Sequence, residues 1–124
     1  MRSWRWVLLF VVVLAVMWGG LSAAQRAQHV RFVVVHSPGT AWKTGVDFRE
    51  QPGVLEHVQH YAAWHREGKL ALGGPFLVPD GGGMMIPVAG TTREEVERFA
   101  AADPAVKSGL LTFEVRPWYV AMSR

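Results

Sequence analysis

The stretch His60–Phe76, HYAAWHREGKLALGGPF, decides the fold. It reads as the end of an amphipathic helix, a glycine stop at Gly68, and then a strand that starts at Lys69. Upstream, Pro52 suits a first helical turn, and Val54, Leu55, Val58, Tyr61, Ala62 and His65 fall on one stripe when residues are placed about 100° apart. Downstream, KLALGGPFLV (69–78) is a strand interrupted by Gly-Gly-Pro, and Asp80-Gly81-Gly82-Gly83 turns it into MMIPVAG (84–90) as a hairpin.

The flanks complete the pattern. HVRFVVVH (29–36) is rich in β-branched residues without a breaker and predicts a strand. A long connection follows, SPGTAWKTGVDFREQ (37–51), whose Trp42 and Phe48 argue that it folds back onto the body as a lid. Thr92-Arg93-Glu94-Glu95 is a capping box that starts a second helix with Val96, Phe99 and Ala100 on its apolar face. After Asp103-Pro104 and Gly109, LLTFEVRPWYVAM (110–122) alternates as a last strand. The order β-α-β-β-α-β is the ferredoxin-like split βαβ arrangement, an α+β class. Right-handed crossovers then bring the start of the first helix and the residues just after the second to the same edge.

The amino terminus reads differently. Arg2 and Arg5 precede an apolar run from Trp6 to Trp18, and Ser22 and Ala24 suit the −3 and −1 positions of a signal peptidase site. Residues 1–24 are expected to be a signal peptide cut after Ala24, with an uncleaved membrane anchor as the competing reading. The mature domain would be 25–124, exported to a periplasmic or extracellular space. The chain has 13 Lys+Arg against 10 Asp+Glu, and two of those arginines leave with the signal peptide. The near-neutral remainder carries no basic patch interleaved with aromatics, which excludes nucleic-acid binding. There is no cysteine, so neither a lipid anchor on cysteine nor disulfide staples are available. At about 100 residues a domain buries a modest share of its surface, which favours association into a homodimer.

Three histidines lie on the first helix. His57 falls at the border of the apolar stripe beside Tyr61 and Trp64, His60 is expected to face water, and His65 is expected to be a satisfied buried histidine. Asp103 has two readings: the N-cap of a short turn begun by Pro104, or a carboxylate that reaches His57 and holds one imidazole nitrogen while the other exchanges a proton. His57 and His60 lack further metal ligands, so no metal is expected. DGGGMM lacks the lysine and hydroxyl of a phosphate loop, and Ser37, Ser108 and Ser123 have no nucleophile-elbow context. Met84 and Met85 read as packing residues.

HVQHYAAWHREGKLALGGPF, a glycine-rich turn, FAAADPAVKSGLL and EVRPW, in that order, resemble the YciI-like (YCII-related) family of small dimeric α+β barrel proteins over about Val30–Met122. The resemblance implies that His57 and Asp103 form the family's His-Asp dyad, that Gly74 and Pro75 shape the pocket wall, and that two copies pack their sheets face to face. The family's few assigned reactions are eliminations or isomerisations of small ring compounds. Two departures stand out: the family is largely cytoplasmic while this chain carries an export signal, and the connection 37–51 is longer than in the smallest members.

The expected activity is therefore a lyase or isomerase with His57 as general acid or base, Asp103 orienting it, and Trp42, Tyr61, Trp64, Gly74 and Pro75 around a small cyclic metabolite. No cofactor is expected, and His57 sits in no haem motif. The alternative is a non-catalytic dimeric module that binds a small ligand or a protein in the same cleft, with Asp103 a cap. The membrane would be a partner only through an uncleaved leader.

Overall fold

The computed structural model describes Ser22 and residues 29–124. Apart from Ser22, the expected signal peptide and its cleavage site lie outside the described residues. Among those described, no helix is long and apolar enough to cross a membrane.

The chain runs β1 (Val30–Pro38), a 3-10 turn (Phe48–Glu50), α1 (Val54–Arg66), β2 (Leu70–Pro75), β3 (Gly83–Pro87), α2 (Arg93–Ala101), α3 (Pro104–Lys107) and β4 (Leu111–Tyr119). The four strands form one sheet in the order β2-β3-β1-β4, every neighbouring pair antiparallel. This is the ferredoxin-like α+β arrangement expected from the sequence. Pro75 and Pro117 fall in the edge strands β2 and β4, where a missing N–H costs no ladder bond on the outer side.

Alternation along the strands sends Val34, Met85 and Val115 to one face, where they pack with Tyr61 and Trp64 of α1 and Val96 and Ala100 of α2. Thr92 caps α2 as its sequence suggests, its hydroxyl accepting from Glu95 N at 3.2 Å. Gly53 caps α1 with φ of +93°, a left-handed conformation natural to glycine, so the helix begins one residue after it rather than at Pro52.

The inward face of α1 differs from the apolar stripe in the sequence. His57, Tyr61 and Trp64 are buried, whereas Leu55 and Val58 are more than half exposed and His65 is exposed. Aromatic area decides the rotation: Trp64 stacks on Phe99 at 4.1 Å and Tyr61 meets the same ring edge-on at 5.3 Å. His60, expected in water, is half-buried. Its ring stacks on Phe99 at 3.9 Å and its Nε2–H donates to the Phe99 carbonyl at 2.7 Å. Three α1 side chains thus clamp one phenyl ring of α2. The hairpin differs as well: β2 ends at Pro75, and Phe76, Leu77 and Val78 form an exposed apolar loop rather than the end of a strand.

Candidate active site

The site assembles where the end of β1, the first turns of α1 and the start of α3 converge. Asp103 is fully buried and uses its two oxygens separately. Oδ1 accepts from Ala105 N at 2.9 Å, capping α3 with Pro104 behind it, and Oδ2 accepts from His57 Nδ1 at 2.6 Å. The cap and the dyad are therefore both present in one side chain. Burial pushes the Asp103 carboxyl up, but the hydrogen bond and charge of His57, the Ala105 N–H and His36 together outweigh it and hold the carboxyl below its usual range. An ionised Asp103 keeps a proton of His57 on Nδ1, so in the neutral imidazole the lone pair is on Nε2, which has no hydrogen-bond partner among the described residues.

His36 is the participant that the sequence reading missed. Phe32, Val34 and His36 share a strand face by alternation, so its place among the helix-facing residues of β1 was the available signal. It is 1 % exposed and sits edge-on to the His57 ring at 5.1 Å. Its Nδ1 lies 3.1 Å from the Thr112 carbonyl, which can only accept, so Nδ1 carries the proton. Burial, reinforced by neighbouring His57, pushes the imidazole down to about 4, so it is neutral and Nε2 is an acceptor. The Tyr61 hydroxyl, which burial keeps protonated, donates to that nitrogen at 2.9 Å. Asp103 Oδ2 stands 4.0 Å from the same atom.

These groups border a cleft of about 570 Å³. His36, His57 and Tyr61 line it, with Trp42, Phe48 and Val58 on one side and Gly74, Pro75 and Met85 on another. Trp42, Tyr61, Gly74 and Pro75 are thus at the cleft. Trp64 is not: it is 3 % exposed and belongs to the core, because stacking on Phe99 turns it away from the opening. Val58 and His65, displaced from the core by the rotation of α1, face the cleft instead.

The connection 39–51 is a strap rather than a loose lid. The Trp42 indole donates to Asp80 Oδ1 at 2.7 Å, and Gly45 N donates to the same oxygen at 3.1 Å. Buried Gln51 accepts from Lys43 N and donates to the carbonyls of Lys43 and Val46. Asp80 itself has φ of +55°, a conformation that aspartate tolerates better than most residues. Behind the cleft, β3 begins so close to β1 that a Cβ on Gly82 would collide with the His36 carbonyl.

No protein of curated function matches the chain. Among solved structures, 5-chloro-2-hydroxyhydroquinone dehydrochlorinase (TftG) of Burkholderia phenoliruptrix AC1100, in complex with 2,5-dihydroxybenzoquinone, is similar at 20% identity and a TM-score of 0.47, over 70% of this chain and 92% of that one. The family comparison matches the YCII-related domain from residue 33 to residue 119, from the middle of β1 through the end of β4. With both halves of the His57–Asp103 pair and all but the first three residues of the sheet inside that match, the chain belongs to the YCII-related domain family.

Proposed function

We propose that this protein is an acid–base catalyst, a lyase or isomerase, acting on a small cyclic metabolite in the cleft beside His57. The observation that carries the reading is the 2.6 Å contact between His57 Nδ1 and Asp103 Oδ2, which leaves Nε2 as the basic atom at an apolar-walled opening. In the proposed reaction Nε2 takes a proton from a substrate carbon. The released electron pair either expels a leaving group, which is elimination, or returns to take the proton at another carbon, which is isomerisation. Asp103 stays ionised and offsets the charge of the imidazolium, and such positioned proton transfer is worth about 10²–10⁴-fold in rate.

Supporting features are the neutral state of His36, which leaves the Asp103 charge to His57, and the walls of Trp42, Phe48 and Met85, which keep water away from the base. We further propose that the protein is exported, on the strength of residues 1–24, and that it pairs as a homodimer through the sheet face opposite the helices. Alternation places Val33, Val35, Met84 and Ile86 on that face. The test is a substrate screen of wild type and His57→Gln. Turnover by wild type with binding but no turnover by the variant supports the reading. A ligand that binds both and is turned over by neither makes the cleft a binding module.

A further inference from the structure

His36, His57 and Asp103 each bring one ligand atom within 4.8 Å of the others, and all three residues are buried. Two imidazoles and a carboxylate suit zinc and its neighbours among the divalent transition metals. The sequence reading found no ligands to join His57; the fold supplies His36 from β1, and with it the missing donor.

The distances are close to what such an ion needs. Bonds of about 2.0–2.1 Å place tetrahedral ligands about 3.3–3.4 Å apart. Asp103 Oδ2 is 2.6 Å from His57 Nδ1 and 4.0 Å from His36 Nε2, so it lies off-centre toward His57. Reaching the tetrahedral range means lengthening the contact to His57 and shortening the one to His36, a rearrangement on the order of 1 Å. The outer partners are already in place. Metal-ligating histidines usually donate their other ring N–H to a carbonyl or carboxylate, and His36 Nδ1–H does so to Thr112 O. The second Asp103 oxygen is held by Ala105 N. His36 and His57 line the cleft, which leaves a fourth position open on that side, as in catalytic or inhibitory sites rather than closed structural ones.

We propose that His36 Nε2, His57 Nδ1 and Asp103 Oδ2 form a binding site for a divalent transition metal of the zinc class. The ion takes the place of the proton between His57 and Asp103, and that proton moves to His57 Nε2. The Tyr61 hydroxyl must give up His36 Nε2 to make room. The inference goes beyond the acid–base reading and sets a limit on it, because a metal-bound His57 no longer offers a free nitrogen to the cleft. Zinc would then be an inhibitor of proton abstraction.

The test is calorimetric titration of the tag-free, chelator-treated protein with Zn²⁺, and with Co²⁺ followed by visible absorbance. One equivalent of Zn²⁺ and the intense visible bands of four-coordinate Co²⁺ are expected. His36→Gln should weaken binding more than about 100-fold, the upper end of what loss of an outer-shell partner costs. Tyr61→Phe should bind as tightly or more tightly, since it keeps all three ligands and removes the competing hydroxyl. Should His36→Gln not fold, Asp103→Asn and Tyr61→Phe carry the same contrast. Zn²⁺ binding that survives both ligand substitutions belongs to exposed histidines such as His29 or His65 and overturns the site. So does a folded wild type without Co²⁺ bands. Neither readout involves turnover, so failure here leaves the acid–base reading standing.

Discussion

Asp103 faces His57 across 46 residues of sequence with one carboxylate oxygen while the other caps the helix that Asp103 itself begins. The two duties can be separated by substitution. Asparagine is as good an N-cap as aspartate but carries no charge. Asp103→Asn is expected to keep α3 and lose about 10²–10⁴-fold in turnover. Asp103→Ala removes the cap and the buried partner of His57 together and should cost about 3–5 kcal/mol in chemical denaturation. Equal stability of the two variants would show that the cap contributes nothing.

Stability should fall in two pH windows. His36 is held down at about 4 in the folded protein against an ordinary 6.5, so below 6.5 the unfolded chain takes up a proton that the folded one refuses. Its contribution is complete above 6.5 and is lost as the pH drops toward 4, amounting to on the order of 3 kcal/mol. Asp103, also depressed, contributes above the ordinary carboxylate range and loses its share at lower pH still. Urea unfolding at pH 7 and pH 4.5 measures the first window. A His36→Gln variant should show a flatter profile there, and an unchanged slope would remove His36 as its source.

The two tryptophans near the site should behave in opposite ways. Trp64→Ala opens a cavity against Phe99 and is expected to cost about 3–5 kcal/mol while leaving the cleft wall in place. Trp42→Ala lies on the strap and should cost less stability but change ligand affinity. Denaturation paired with ligand titration separates them.

Asp80→Ala takes the shared acceptor from the Trp42 indole and the Gly45 amide. Hydrogen exchange of Gly45 N–H should accelerate with a global loss of only about 1–2 kcal/mol, since each hydrogen bond nets about 1 kcal/mol. Unchanged exchange would mean that Gln51 alone holds the strap.

Much of this was legible in the sequence because the signals were local. The capping box at Thr92, the glycine stop at Gly68 and the strand alternation fixed the element order. Crossover handedness then brought the start of the first helix and the residues after the second to one edge, with Asp103 readable as cap or as partner of His57. What was not legible depended on partners remote in sequence. The rotation of α1 follows from Phe99, a residue of another helix, and helical periodicity cannot weigh an aromatic stack that it does not contain. His36 looked like the end of an apolar strand, and its role rests on Tyr61, Thr112 and Asp103 meeting it in space. Asp80 looked like a turn former, and its bond to Trp42 spans 38 residues.

The glycine turn has a consequence for how the cleft could change. A side chain at Gly82 would strike the carbonyl of His36, and its φ of +70° adds backbone strain to any replacement. That wall is therefore nearly frozen: enlarging it displaces a member of the site. The opposite wall is held by Gln51 and Asp80 through main-chain groups and one indole, which leaves Phe48 free to be exchanged without loosening the strap. Diversification of what the cleft accepts, by natural drift or by deliberate mutagenesis, should run through position 48 and its neighbours on the strap and spare the glycines.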